Sequence, residues 1–186
     1  MSQADVTRNL LAQLPTGEEG SLPPVDLWHP PFCGDIDMRI ARDGTWYHQG
    51  TPITRPAMVR LFSTILRRDP ERYVLVTPVE CVGIQVEDVP FLVVDVEWSG
   101  SGKAQALDLV TNVGDRVAVA AEHPLRFEEQ DDQPAPYVQV RGGLDARLNR
   151  AVFYRLMERV EEGTHEGRAW LGLWSRGSFF PVAPVE

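Results

Sequence analysis

The order of elements along this chain recurs, and that recurrence narrows the possible folds more than any single motif does. Around residue 54 an extended run gives way to a helix. Thr54 sits at the N-cap place, Pro56 falls in the first turn, and Met58, Leu61, Phe62, Ile65 and Leu66 follow at helical spacing. A shift of 91 residues carries Trp46 to Tyr137, Ile53 to Leu144, Thr54 to Asp145, Leu61 to Val152, Phe62 to Phe153, Ile65 to Leu156 and Leu66 to Met157 without a gap. After a five-residue insertion, "YVLVTPVECVGIQV" falls on "AWLGLWSRGSFFPV" at a shift of 96. Any two amphipathic helices resemble each other, because both obey the same period. The shared order of strand, capped helix and strand pair adds what periodicity alone does not, and the expectation is an internal duplication.

Within the first copy, "DIDMRIA" alternates polar and apolar residues, "RDG" supplies turn chemistry and "TWYHQG" returns as a second strand. Arg67 and Arg68 close the helix, where the negative end of its dipole favours cations. "YVLVTP", "VGIQVED" and "FLVVDVEW" then read as strands bounded by Pro78 and Pro90. "ALDLVTN", "RVAVA" and "LRFEEQ" read as antiparallel strands opening the second copy, with "NVGD" and "AEHP" as turns. The expected fold class is α+β: duplicated units of antiparallel sheet with one packed helix each. The expected division is an amphipathic N-terminal helix, "ADVTRNLLAQL", and its tether over 1–24, a first unit over 25–89 and a second over 90–186.

The chain has 27 acidic against 18 basic side chains, and its formal charge of -9 argues against a nucleic-acid polymer as partner. Two cysteines, Cys33 and Cys81, are too few for a disulfide framework. There is neither a basic-plus-apolar leader nor a long apolar run, so the expectation is a soluble cytoplasmic protein without a membrane partner.

Candidate chemistry concentrates in "FCGDIDMRIARDGTWYHQGTPITRP", residues 32–56. A period of two sends Asp35, Asp37 and Arg39 to one face of their strand, and Ile36, Met38 and Ile40 to the other. In the following strand Trp46 and His48 share a face, opposite Tyr47 and Gln49. The hairpin thus offers an Asp, Asp, Arg, His cluster beside an aromatic ring. Arg39 and Arg42 with Trp46 form an inventory that can hold a phosphate and stack a base. The same charges also suit the solvated face of a sheet, paired across strands.

Catalytic alternatives fare worse. Asp35 and Asp37 are neighbours on one strand face and do not flank a sugar from two sides. A serine in a glycine elbow is absent, and "GKAQA" lacks the spacing of a phosphate-cradling loop. "HPPFC" puts His29 and Cys33 four apart, with His48 and Cys81 elsewhere, a set zinc would accept; a buried thiol and a packed imidazole account for the same residues, and no metal site is assigned. Thr77, Glu80, Gln85, Glu87 and Asp88 suit strand edges and turns, where acids also guard against edge pairing.

"FCGDIDMRIARDGTWYHQGTPI" followed by "LVTPVECVGIQVEDVPFLVVDVE" resembles the bacterial domain-of-unknown-function family 1285, over most of the chain from Trp28 to Val182. Its motif falls on Gly34, Asp35, Ile36, Asp37, Arg39, Asp43, Gly44, Trp46, Gly50, Pro52 and Ile53, then Thr77, Pro78 and Glu80. Where the family often has Lys after Glu80, this chain has Cys81, which bears on ligand preference. The resemblance implies a duplicated α+β core, a C-terminal unit superficially like a pleckstrin homology domain, a site where the units meet, a nucleotide-like ligand and a signalling role.

The expected function is therefore non-enzymatic binding of a small anionic ligand. Asp35, Asp37, Arg39, Trp46, His48, Thr77 and Glu80 are the candidate binding residues, with no catalytic residue and no cofactor assigned. The alternatives are a protein-interaction adaptor docking through its sheet face or acidic rim, and a hydrolase using the paired carboxylates.

Overall fold

The computed structural model describes residues 8–10, 12–13, 21–130 and 133–186. The expected N-terminal helix is helical at residues 8–10 and 12, where Leu10 is fully buried. Residue 13 is in a turn, and 4–7, 11 and 14 of the expected helix, with 15–20 of the expected tether, lie outside the described residues. The chain divides into two units, Met1–Asp88 and Val89–Glu186.

The first unit runs β1 (Phe32–Ile40), β2 (Trp46–His48), β3 (Thr51–Pro52), α1 (Pro56–Thr64), β4 (Leu66–Asp69), β5 (Arg72–Val76) and β6 (Cys81–Val86). These strands make one sheet in the order β3-β2-β1-β6-β5-β4. Every pairing is antiparallel except β1 with β6, so the expected antiparallel sheet is a mixed one. The alternation of β1 does what its period demands: Ile36, Met38 and Ile40 are buried, and Trp46, Phe62, Ile65 and Leu75 complete that core.

Two local expectations fail for identifiable reasons. The N-cap of α1 is Arg55, not Thr54, and no side chain among the described residues caps the helix. Pro56 at the first position has no N–H to satisfy, so less is lost without a cap. The helix also stops at Thr64, and Arg67 and Arg68 lie in β4 instead of its last turn. Pairing of residues 66–69 with 72–75 gives their main-chain groups a ladder that another helical turn would break. Leu61, assigned to the buried stripe, is exposed.

The second unit opens with β7 (Phe91–Ser99), β8 (Ala106–Thr111) and β9 (Arg116–Ala118). It continues with β10 (Leu125–Gln130), β11 (Gln133–Arg141), β12 (Leu144–Leu148), α2 (Arg150–Met157), β13 (Glu161–His165), β14 (Arg168–Ser175) and β15 (Ser178–Pro184). Six strands form a sheet in the order β10-β11-β12-β7-β8-β9, with β12 and β7 parallel, and β13-β14-β15 form a second, antiparallel sheet. Phe91, Val93, Val96, Leu107, Leu109, Ala146, Val152 and Leu156 are among its buried residues.

The duplication holds in the order of elements. Three strands, a helix and three strands, β1-β2-β3-α1-β4-β5-β6, recur as β10-β11-β12-α2-β13-β14-β15, with β7 to β9 added in front. The hairpins β2–β3 and β11–β12 even share their turn chemistry: Gln49–Gly50 and Gly142–Gly143 all have positive φ, as two-residue turns between right-twisted strands require. The gapless shift of 91 does not hold in detail. It sends Thr54 to Asp145, which lies inside β12; the cap of α2 is Asn149, whose side chain accepts from the Val152 N–H at 2.8 Å. The buried helix positions do not follow that shift either: Phe62 is buried while Phe153 is half-buried, and Val152 is buried while Leu61 is exposed.

Candidate functional site

The polar face of β1 is built as its alternation predicts. Asp35 and Asp37 are exposed and Arg39 is half-exposed, opposite Ile36, Met38 and Ile40. Trp46, expected beside them, is elsewhere. Residues paired across an antiparallel ladder share a face, and Trp46 pairs with Ile40, so its ring enters the core. There it is 1% exposed and stacks on Phe62 at 6.3 Å and 15°, and its indole nitrogen is buried without a hydrogen-bond partner among the described residues.

The aromatic neighbour of Arg39 is Tyr47, its ladder partner, with the guanidinium 4.3 Å from the ring centroid. Arg39 also pairs with Glu87, whose second carboxylate oxygen accepts from the Arg42 N–H at 2.9 Å. His48 pairs with Met38 and so stands on the core side, half-buried. Asp35, Asp37 and Arg39 are therefore together on one face, while Trp46 and His48 are on the other. Tyr47, not Trp46, shares the face of Arg39 because the length of the turn sets the register of the hairpin.

Thr77 and Glu80 form the turn from β5 to β6. The Thr77 N–H donates to the Glu80 carbonyl at 2.8 Å, and the Thr77 hydroxyl accepts from the Glu80 N–H at 3.0 Å. That hydroxyl lies 2.8 Å from Gln13 Oε1, to which it donates, and Thr77 is completely buried. Its role here is to close the turn and hold the N-terminal segment. Glu80 is half-buried, and its Oε2 is enclosed without a partner among the described residues.

The sequence reading missed a concave site on the polar side of the first sheet. Val74, Val76 and Cys81 form a small cluster on which Val25 and Trp28 pack. Arg67 fixes that cover: Nη1 donates to the carbonyls of Val25 at 2.9 Å and Trp28 at 2.7 Å. Its Nε and Nη2 meet the two oxygens of Asp69 at 2.7 and 3.2 Å. This fork raises the Arg67 pKa above its ordinary value, so the cation is permanent. Next to this cover lies a cavity of about 310 Å³ whose lining includes His29, Phe32, Arg67, Asp69, Arg72 and Cys81.

Arg72 is the reactive-looking member of that lining. Its guanidinium lies 4.3 Å from the Phe32 ring centroid, and its nearest carboxylate among the described residues, Asp35, stands at 4.0 Å and is itself 80% exposed. A loose contact of this kind leaves the N–H fork of Arg72 available, in contrast to that of Arg67. Asp35 reaches this edge because it lies across Gly83, where any Cβ would overlap its carboxylate and touch Phe32 at 3.4 Å. Burial pushes the Cys81 thiol up, so near neutral pH it is a neutral thiol and a poor nucleophile or metal ligand.

No helix among the described residues is long and apolar enough to cross a membrane. No curated protein matches the chain. A crystal structure of a DUF1285 family protein from Silicibacter pomeroyi DSS-3 is similar to it at 54% identity and a TM-score of 0.85, over 95% of each chain. A second, from Shewanella baltica OS155, is similar at 29% identity and a TM-score of 0.54, over 68% of this chain and 94% of that one. Residues 23–89 match the N-terminal domain of the domain of unknown function DUF1285, and residues 90–182 match the C-terminal domain of the same protein family. The chain belongs to the DUF1285 family and carries both of its domains.

Proposed function

We propose that the first unit is a binding module for a small anionic ligand, held in the cavity between Phe32, Arg67 and Arg72. One observation carries this reading: Arg72 is stacked on an aromatic ring at the rim of a 310 Å³ cavity, with no carboxylate of the described residues closer than 4.0 Å. A phosphate or carboxylate takes the fork of Arg72 in bidentate geometry, and the rest of the ligand lies along Phe32 and Pro30. The cavity is at the small end of ligand pockets, which favours a mononucleotide or a smaller anion. Arg39, stacked on Tyr47 and paired with Glu87, borders the same polar face and tunes its charge.

Binding without turnover suits a neutral Cys81. Both cysteines are unpaired, which fits a reducing cytoplasm, and a ligand-dependent signalling role is the corresponding biological reading. Thermal shift with mononucleotides, inorganic phosphate and small carboxylates tests the proposal. The expected result is a melting temperature that rises with the logarithm of concentration for at least one anion, and an Arg72→Ala variant that folds but no longer responds. A flat response across the panel, or a response that Arg72→Ala leaves intact, overturns it.

A further inference from the structure

The second unit carries its own cavity, of about 320 Å³, on the side of the Trp98 ring. Two guanidinium groups lie over that ring, Arg159 at 4.0 Å from its centroid and Arg155 at 5.2 Å. They are differently committed. Arg155 donates to Asp95 Oδ1 at 2.6 Å and to the Val96 carbonyl at 2.9 Å. Arg159 makes one side-chain hydrogen bond among the described residues, from Nη1 to Gln105 Oε1 at 3.3 Å. Gln105 is only 4% exposed, and its amide is fixed in that orientation because Nε2 donates to the Trp174 carbonyl at 2.8 Å. Stacking on Trp98 and a buried amide thus hold Arg159 in place while most of its donors stay open.

Ser101, Glu158 and Glu161 share the lining with Trp98, Gln105 and Arg159. Neither glutamate is in an ion pair among the described residues. The cavity therefore presents one oriented cation and two uncommitted carboxylates at its edges. A simple anion meets two like charges there, and a simple cation meets Arg159. A zwitterion satisfies both signs. We propose that this cavity binds a free α-amino acid, with its carboxylate on Arg159 and its ammonium group between Glu158 and Glu161. Because carboxylates outnumber guanidinium groups in the lining, basic side chains are preferred over acidic ones. The size suits a metabolite of that class. This site is independent of the one in the first unit, and either can fail without the other.

The test is a titration of the full chain, followed through the Trp98 indole N–H resonance, which a Trp98→Phe variant identifies. The ligands are L-lysine, L-glutamate, and the single-charge analogues butylamine and acetate. Lysine is expected to shift the resonance saturably, with glutamate, butylamine and acetate each weaker by about tenfold or more. A Glu158→Gln, Glu161→Gln double variant, altered only at exposed carboxylates, is expected to weaken lysine by at least about tenfold. Arg159→Lys keeps the charge but loses the fork and is expected to weaken every amino acid tested. The proposal is overturned if no amino acid produces a saturable shift, if acetate binds as well as lysine, or if the double variant binds lysine unchanged.

Discussion

In the first unit the last strand of the repeated order, β6, closes onto β1 through a parallel main-chain ladder; in the second, β15 lies beside β10 but ends a separate sheet. The same order of elements has thus settled into two sheet connectivities. Proline supplies a reason. β15 contains Pro181 and Pro184, which have no N–H to donate, whereas β6, "CVGIQV", can donate at every position. Side chains join the two sheets of the second unit elsewhere, from the end of β14 to β8 and the residues after β9. Ser175 accepts from the Leu107 N–H at 3.0 Å and donates to the Val119 carbonyl at 2.6 Å, and Arg176 donates to the Leu107 carbonyl at 2.6 Å. The parallel pairing of the second unit falls instead on β12, the counterpart of β3, which pairs with β7 of the three added strands.

If those side chains hold the second unit together as the ladder holds the first, Ser175→Ala has the largest effect. It takes the side-chain partner from the Leu107 N–H and leaves the Val119 carbonyl only Arg176 at 3.4 Å, beside a fully buried residue, and a loss of about 2–4 kcal/mol is expected in denaturant unfolding. A loss near zero would break the comparison. In the first unit the corresponding weak point is the pinned cover. Arg67→Ala releases the carbonyls of Val25 and Trp28 together with Asp69, and is expected to cost about 2–3 kcal/mol. Arg116→Ala, which removes an exposed, solvent-screened pair with Glu97, should leave the unfolding midpoint essentially unchanged.

Glycines sharpen the contrast further. A Cβ on Gly172 in β14 would lie 2.5 Å from the Phe180 carbonyl oxygen, a backbone atom that cannot step aside, and Gly172→Ala should cost about 1–3 kcal/mol. Gly83→Ala meets first the tip of exposed Asp35, so it should cost less than about 1 kcal/mol while loosening the contact of Asp35 with Arg72. The smallest effect is expected from Pro181→Val, which returns a donor to β15 and should slow amide exchange along β10 with little change in global stability. Unaltered exchange there would remove proline as the cause of the split.

The hairpin of β1 and β2 shows where legibility ended. Alternation within β1 placed Asp35, Asp37 and Arg39 outward and Ile36, Met38 and Ile40 inward, as observed. Alternation within β2 likewise separated Trp46 from Tyr47. What it did not supply was which of those two faces continued the outer face of β1, because that depends on how many residues the turn consumes. The five positions from 41 to 45 set the pairing of Arg39 with Tyr47, and a connection one residue longer or shorter would have reversed it. Thr77 and Glu80 were legible as a turn, but the enclosure of Thr77 against Gln13 was not, since the two lie far apart in the chain.

By itself the sequence determined most of the succession of strands and helices, the alternation within β1 and β2 and the fact of a repeated unit, but not β4, which it read as helix, nor which face of β2 joined the core. Those properties follow from the local periods of apolar residues and from proline and glycine at the turns. Tertiary structure alone decided the two parallel pairings, the division of the second unit into two sheets, and the cavities around Arg72 and Arg159. Each of these depends on contacts between residues distant in the chain. Their geometry is set by register, turn length and close packing, and no local pattern of residues records it.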